Sequence, residues 1–324
     1  MQYPLVSAIV LCYNQSRFVI ECLESVKAQN YPNLELIVND DASKDDSASV
    51  IQAWLAQSGI PHRFLRNQTN QGLCRSLNNA ISQSRGKYTA GIAADDVWLP
   101  GKLLTQVERM ERLPERCGVL YTDALQMDEQ GNLLEGRFID VYRRFEKKPE
   151  GNISSSLWKG NFIPAMTTLI RRECYEKVGL YDEALYYEDW DMWLRISRCF
   201  EFAYADEVSA KYRIVSTSMM QSQGNRMIDA GCQICLKHLR AANLGHDTRT
   251  AAALLCYNYA IASYEHKTLK HKRNLLQALR FRPTPGLALR CLLAVCGVGS
   301  ERFARLRSLL QVQSSNTEPV GQCE

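Results

Sequence analysis

The stretch Tyr88-Thr89-Ala90-Gly91-Ile92-Ala93-Ala94-Asp95-Asp96 decides the fold, because an apolar run typical of a buried strand ends directly on two carboxylates. It is the fourth run of this kind along the chain. Earlier apolar runs cover residues 6–11, 34–38 and 61–66, and the intervals between them show helical spacing of apolar residues. Strands that alternate with helices in this way predict an α/β fold with an open, mostly parallel sheet and right-handed crossovers.

Polar clusters follow three of the predicted strands at the same end. Tyr13-Asn14 follows the first strand, Asp40-Asp41 the second and Asp95-Asp96 the fourth. An isolated Asp-Asp pair more often forms a solvated turn or a helix cap. Because ligands of open parallel sheets bind beyond the carboxyl ends of the strands, three clusters at that edge favour a binding site. Carboxylates suit Mg²⁺ or Mn²⁺, and such an ion commonly carries the phosphates of a substrate.

The chain is predicted to have three parts. We expect an α/β domain over residues 1–215, a basic α-helical region over 216–311 and a disordered tail over 312–324. Within the first part, the polar segment 136–160 is expected to be an irregular, mobile loop over the site. A helix is expected to begin at the acidic stretch Glu188-Asp189-Trp190-Asp191.

The charge is unevenly distributed. The net charge is +4, but residues 231–310 hold 13 Lys and Arg against three acids, so the rest of the chain is acidic. A basic segment attracts anionic lipid or nucleic acid. Nucleic acid is not expected here, because the basic run does not interleave its charges with aromatic residues.

The apolar run 286–297 is too short to cross a membrane, which takes about 20 residues. Two interpretations of this run stay open: a helix packed on the rest of the protein, or a helix at the membrane surface. In the second, a set of arginines would face anionic headgroups: Arg282, Arg290, Arg302, Arg305 and Arg307.

The 12 cysteines are scattered, and the N-terminus leads into a strand without a signal-peptide pattern. Cys232-x-x-Cys235 has no second pair or nearby His pair to complete a zinc site. We therefore expect reduced thiols and a cytoplasmic protein, with peripheral contact at the inner face of the plasma membrane if the basic helices bind lipid.

An ordered series of motifs over residues 4 to about 215 resembles the family-2 glycosyltransferases of GT-A fold. The motifs are Val6 to Val10 with Tyr13-Asn14, Leu36 to Asp45, Asn70-Gln71-Gly72, Arg85 to Tyr88, Asp95 to Pro100, Arg171 to Glu183, and Glu188 to Trp193. The resemblance implies a Rossmann-like three-layer sandwich with a mostly parallel central sheet. The first 215 residues would be the catalytic domain, and the last hundred residues, a helical appendage, carry no match.

The resemblance also implies an activity. The chain is expected to be an inverting, hexosyltransferase-type enzyme that moves a sugar from a nucleotide-diphosphate donor, expected to be a UDP-sugar. The acceptor would be a hydroxyl of a glycan or of a lipid-linked acceptor in cell-surface polysaccharide biosynthesis. A catalytically silent relative that binds nucleotide sugars as a regulator or partner remains an alternative.

Roles in donor binding follow from the resemblance. Tyr13 and Asn14 would lie near the base of the donor, Asp41 would accept a hydrogen bond from uracil, and Asp40 would shape the turn. Ala42 replaces the glycine that the family usually has at this point.

Asp95 and Asp96 would hold a divalent metal, Mg²⁺ or Mn²⁺, bound to the donor diphosphate. Ala93 stands where the family often has a further Asp, and Val215 stands where many members have a metal-binding His. The resemblance therefore implies a lean metal site, made of two carboxylates, donor phosphates and water.

The acidic stretch carries the implied catalytic roles. Asp189 matches the catalytic base of the family, which takes the proton of the acceptor hydroxyl as that oxygen attacks the sugar. Glu188 would orient Asp189 or raise its pKa by proximity of like charge. Trp190 could stack on an acceptor sugar, and Asp191 is expected to point toward a cap or an arginine.

Overall fold

A computed structural model of the 324-residue protein describes residues 3–186, 188–215, 224–241, 244–298 and 300. The chain divides into two compact units, Met1–Ser222 and Gln223–Glu324. The predicted disordered tail, 312–324, lies outside the described residues.

The first unit is built on a mixed sheet in which parallel neighbours predominate on one side. The strands are β1 (Val6–Cys12), β2 (Leu34–Asp40), β3 (His62–Arg66), β4 (Tyr88–Ala93), β5 (Val97–Trp98), β6 (Cys117–Met127), β7 (Leu133–Arg137), β8 (Leu169–Arg171) and β9 (Glu201–Arg213). Their order is β3-β2-β1-β4-β8-β6-β9-β5, and β7 pairs with β6. Strands β3, β2, β1 and β4 are all parallel, which confirms the predicted α/β sheet.

Helices cover both faces of this sheet. They are α1 (Val19–Lys27), α2 (Ser47–Ser58), α3 (Leu73–Gln83), α4 (Lys102–Arg112), α5 (Phe138–Tyr142), α6 (Ser154–Leu157), α7 (Arg172–Val178) and α8 (Glu188–Ile196). Apolar residues of α1, α2 and α4 share one core with Val6, Ala8 and Val10 of β1. Helix α3 packs against β1 and β2 without joining that core, so the sheet lies between two helical layers.

The segment 136–160 corrects one prediction. It was expected to be irregular, but it contains the end of β7 and the short helices α5 and α6. Long-range contacts fix α5: the backbone N–H of Ile139 donates to the buried Asp123 carboxylate at 3.0 Å. The ring of Phe138 also meets that of Tyr212 edge-on at 5.3 Å. Neither contact is visible in the local sequence pattern.

The described part of the second unit is helical. It comprises α9 (Gly224–Arg240), α10 (His246–Glu265), α11 (His271–Phe281) and α12 (Pro285–Val295). Asp229 of α9 ties the packing together, because its Oδ1 accepts from Thr268 Oγ1 at 2.6 Å and from Asn274 Nδ2 at 2.7 Å. Among the described helices, none has both the length and the hydrophobicity that crossing a membrane requires.

Helix α12 covers the apolar run whose interpretation was open. One side buries Leu287, Cys291 and Ala294, whereas Leu292 and Val295 are each 61% exposed. The predicted headgroup ligands Arg302, Arg305 and Arg307 lie outside the described residues.

The loop after β2 contains a residue with a strained backbone. Ala42 has φ +59°, the left-handed region that costs an L-residue about 1–2 kcal/mol and a glycine almost nothing. We expect Ala42→Gly to raise the free energy of unfolding by about 0.5–1 kcal/mol after the greater entropy of unfolded glycine is subtracted. Urea titration measures the change. Ala48→Gly, inside α2, is the matched control and should destabilise. Equal destabilisation by both would contradict the strain at Ala42.

Candidate functional site

The polar clusters that end β1, β2 and β4 lie at one edge of the sheet. Cys12 is in register with Asp40, and Leu11 with Ala93, so the residues that follow emerge side by side. The backbone N–H of Asp41 donates to the carbonyl of Cys12 at 2.9 Å, and that of Ala94 donates to the carbonyl of Leu11 at 2.9 Å. Parallel pairing therefore continues to the point where the polar residues begin.

The Asp41 carboxylate accepts three hydrogen bonds from within the protein. Its Oδ1 accepts from Asn67 Nδ2 at 2.7 Å and from the backbone N–H of Gln71 at 2.8 Å. Its Oδ2 accepts from the backbone N–H of Gly72, directly before α3, at 2.8 Å. Because a carboxylate has about four acceptor positions, one position on Oδ2 is not used by these hydrogen bonds.

Asn14 and Asp40 brace the loops beside Asp41, whereas Tyr13 is open to solvent. Asn14 Oδ1 accepts from the backbone N–H of Lys44 at 2.7 Å, and its own N–H donates to Ser43 Oγ at 2.9 Å. The buried Asp40 accepts from the N–H of Ser43 at 3.1 Å through Oδ2, while its Oδ1 has no partner among the described residues. Tyr13, which follows β1 at this edge, is 41% exposed.

Asp95 and Asp96 form a partly buried pair with oxygens to spare. Asp96 is 3% exposed, and its Oδ1 accepts from the backbone N–H of Arg213 at 2.9 Å. Asp95 Oδ2 accepts from Gln15 Nε2 at 3.4 Å. Within the described part of the chain, Asp95 Oδ1 and Asp96 Oδ2 accept no hydrogen bond from another residue.

Burial and like charge both disfavour full ionisation of this pair. Burial raises the pKa of both carboxyls, and the charge of Asp95 raises that of Asp96 further. The Arg213 guanidinium opposes these effects. In the part of the chain that the structure describes, no group of three or more His, Cys, Asp or Glu side chains could hold a metal ion.

Arg213 is locked in place beside the pair. Its side chain is 2% exposed, and Nε donates to the carbonyl of Asp95 at 2.9 Å. Further donors reach the carbonyl of Asp128 and the carboxylate of Glu21, and the guanidinium lies 4.6 Å from the centre of the Phe18 ring. Two residues later Val215 is buried, at the position where a histidine ligand was considered.

A second acidic pair begins α8. Asp189 Oδ2 accepts from Asn161 Nδ2 at 2.9 Å, and its Oδ1 accepts from the N–H of Trp190 at 2.6 Å. Burial raises the pKa of Asp189 to about 6. Burial, followed by repulsion from Asp189, raises the pKa of Glu188 to about 8. Asp189 is thus an oriented carboxylate with raised basicity.

Tyr212 of β9 is affected by charges from both acidic pairs. Burial raises the pKa of its hydroxyl, and the negative charges of Asp96, Asp95 and Asp189 raise it further. One side chain is therefore within electrostatic range of the first pair and of Asp189.

Trp190 corrects a further expectation. Its side chain is fully buried, its Nε1 donates to the carbonyl of Leu157 at 2.9 Å, and its ring meets that of Trp158 edge-on at 6.2 Å. It belongs to the core and has no face open to an acceptor sugar. Asp191 is also buried and accepts from Arg195 Nε at 2.8 Å, one helical turn later, as predicted.

Comparison with known proteins supplies the family. Residues 7–179, more than half of the chain, match the model of glycosyl transferase family 2. The chain belongs to this family. An uncharacterized glycosyltransferase of Rickettsia prowazekii is 29% identical over 69% of this chain and 68% of its own length. TuaG of Bacillus subtilis, a candidate glycosyltransferase of teichuronic acid biosynthesis, is 27% identical over 68% of this chain and 83% of its own.

Solved structures share the fold of this glycosyltransferase. TarS of S. aureus, in complex with UDP, aligns with a TM-score of 0.67 at 14% identity, over 94% of this chain and 92% of that chain. The mannosyltransferase PcManGT of Pyrobaculum calidifontis, in complex with GDP-Man and Mn²⁺, aligns with a TM-score of 0.60 at 18% identity, over 94% and 83%. These likenesses confirm the GT-A fold. The match spans between 32% and 68% of the length of five rickettsial relatives.

Three residues of the candidate site were not identified from the sequence: Asn161, Tyr212 and Arg213. Arg213 and Tyr212 end a long strand, and only the pairing of that strand with β5 brings them to Asp95 and Asp96. Asn161 lies in a segment without regular secondary structure. The series of family motifs identified the two acidic pairs. No spacing rule in the sequence identified the three residues that lie near them.

The raised pKa of Glu188 makes stability depend on pH. The folded state keeps a proton between the ordinary carboxyl pKa near 4.5 and about 8, so stability falls as pH rises through this window. Glu188→Gln has no carboxyl to titrate at this position. We therefore expect its free energy of unfolding to fall less than that of the wild type between pH 5 and pH 8, by at least about 1 kcal/mol. Urea unfolding at both values measures it. Glu176→Gln, an exposed carboxyl on α7, should leave the slope unchanged, and an unchanged slope in Glu188→Gln would contradict the burial argument.

Proposed function

We propose that the protein is an inverting glycosyltransferase that moves a hexosyl group from a UDP-sugar to a hydroxyl of a glycan or lipid-linked acceptor. The proposal rests on two unlike acidic pairs of the first unit, whose residues Asp95, Asp96 and Asp189 all raise the pKa of Tyr212. One pair, Asp95 and Asp96, has spare oxygens for a cation. The other contains a single oriented carboxylate, Asp189, with a pKa raised to about 6.

Asp189 acts as the catalytic base in this proposal. The acceptor oxygen forms a bond to the anomeric carbon while its proton moves to the Asp189 carboxylate. The bond from that carbon to the phosphate oxygen breaks, and the nucleoside diphosphate leaves with the electron pair. Because one base on one side of the sugar suits in-line displacement, the configuration inverts. Asn161 holds Asp189 Oδ2 at 2.9 Å and so aims the carboxylate.

The metal site in this proposal consists of Asp95 and Asp96. The two oxygens without a hydrogen bond from another described residue, Asp95 Oδ1 and Asp96 Oδ2, are hard ligands of the kind that Mg²⁺ or Mn²⁺ prefers, and phosphate and water would complete the coordination. When bound, the ion neutralises the charge that develops on the departing diphosphate. The Arg213 guanidinium, held at the carbonyl of Asp95, adds positive charge to the same region without binding the metal.

Donor recognition is proposed for the edge formed by β1 and β2. The exposed ring of Tyr13 can pack on the base, and the remaining acceptor position of Asp41 can take the N–H of uracil. Asn14 and Asp40 support this edge from inside the loops. TarS, which shares the fold, was solved in complex with UDP, and this supports a nucleotide ligand for the present chain.

The biological setting is proposed from the relatives and from charge. TuaG is named for teichuronic acid biosynthesis, which supports a role in making a cell-surface polysaccharide. The basic residues of 231–310 would attract an anionic membrane, so we propose that the enzyme works at the cytoplasmic face of the plasma membrane. Peripheral contact of this kind would bring the enzyme to a lipid-linked acceptor.

The decisive variant is Asp189→Asn, which keeps the shape of the side chain and removes the base. We expect turnover to fall by about 10² to 10⁴-fold while UDP binding stays within a factor of two or so, since a base contributes to the chemical step alone. Release of UDP from a panel of UDP-sugars, with Mn²⁺ present, gives the rate, and calorimetry gives UDP affinity.

Glu176→Gln, far along α7 and exposed, serves as the control and should retain full turnover. Full activity of Asp189→Asn would show that Asp189 is not the catalytic base. A wild-type protein that binds UDP but releases none from any UDP-sugar would favour the silent, nucleotide-sugar-binding alternative.

A further inference from the structure

A cleft in the second unit lies between α9 and α11 and is lined by four basic side chains. Lys237 and Arg240 come from α9, Arg273 comes from α11, and Lys270 directly precedes α11. The volume of the cleft is about 170 Å³, the size of a small anionic group rather than of a polymer. Its remaining lining includes amides and one leucine, with no carboxylate and no aromatic ring.

Most of this charge is not neutralised within the described residues. Arg240 donates to the neutral amide oxygen of Gln277 at 2.6 Å. Neither Arg240, Lys270 nor Arg273 forms an ion pair with any described carboxylate. Like charges that converge on one cleft repel one another, so a bound anion would relieve this repulsion.

The two walls of the cleft are fixed to each other. Asp229 of α9 accepts from Thr268 Oγ1 at 2.6 Å, from Asn274 Nδ2 at 2.7 Å and from the backbone N–H of Lys270 at 3.3 Å. These bonds use both oxygens of Asp229 to attach the start of α11 to α9. The basic side chains therefore extend from a prearranged frame.

We propose that this cleft binds a phosphate group. Arginine and lysine are the side chains that proteins use for phosphate, through forked N–H donors and a compact ammonium charge. Single-stranded nucleic acid would need aromatic rings for its bases, and the cleft has none. The phosphate can belong to a membrane lipid headgroup or to a soluble diphosphate, since both present the same oxygens.

An exposed leucine beside the cleft favours the lipid source. Leu269 immediately precedes Lys270 and is 95% exposed, and Leu276 on α11 is 49% exposed. Apolar side chains next to basic ones are typical of surfaces that bind the lipid interface, where the apolar groups enter below the headgroups.

The test uses the full chain, without any sugar donor, so it is independent of the proposed activity. Sedimentation measures binding to vesicles of phosphatidylcholine with phosphatidylglycerol and to vesicles of phosphatidylcholine alone, and calorimetry measures binding of pyrophosphate. The variant Lys270→Gln with Arg273→Gln removes two cleft charges. The matched control, Lys272→Gln with Arg280→Gln, removes two exposed charges from the same helix outside the cleft.

We expect the cleft variant to lose at least about tenfold in affinity for the anionic vesicles, while the control loses less than about threefold. If the cleft variant lost affinity for pyrophosphate but not for vesicles, the result would support a phosphate site whose ligand is a soluble diphosphate. The proposal would be overturned if the two variants lost the same affinity, or if the protein bound neutral vesicles as tightly as anionic ones. It would also be overturned if the protein bound neither the vesicles nor pyrophosphate. All four substituted residues are exposed, so circular dichroism should show unchanged folding.

Discussion

The hydrogen bond from the backbone N–H of Arg213 to the Asp96 carboxylate, 2.9 Å long, is the interaction on which the site depends. It is possible because the short strand β5 begins directly after Asp96. This strand is hydrogen-bonded to the end of β9, with Val97 opposite Lys211. In the sheet, β9 and β4 are separated by β8 and β6. The bond therefore closes the crevice across strands that are not neighbours, and it brings Tyr212 to the carboxylates.

Both acidic pairs carry an electrostatic cost that a ligand would relieve. Burial raises the pKa of Asp95, Asp96, Glu188 and Asp189, which means that the folded protein disfavours their full ionisation. At the first pair, a divalent ion with its diphosphate would restore charge balance. At the second, a raised pKa is useful in itself, since it makes Asp189 a better acceptor of the proton from a hydroxyl near neutral pH.

The sequence predicted the parallel half of the sheet because strands buried on both faces are nearly continuous apolar runs, as in β1 and β2. It also predicted the acidic residues of the candidate site, because Asp40-Asp41 and Asp95-Asp96 directly follow predicted strands. It could not predict α5, Arg213 or Asn161, whose positions depend on contacts far apart in the chain. Trp190 was wrongly expected at an acceptor site, because helical position alone did not distinguish a core-facing indole from an exposed one.

The central claim is that Asp95 and Asp96 hold the metal that carries the donor diphosphate. The most direct measurement is a crystal structure of the protein with UDP and Mn²⁺, using the anomalous scattering of manganese to locate the ion. The account predicts one peak within about 2–2.5 Å of an oxygen of each carboxylate and of the diphosphate. UDP bound at this edge of the sheet with no manganese beside Asp95 and Asp96, or with the ion held elsewhere, would contradict it.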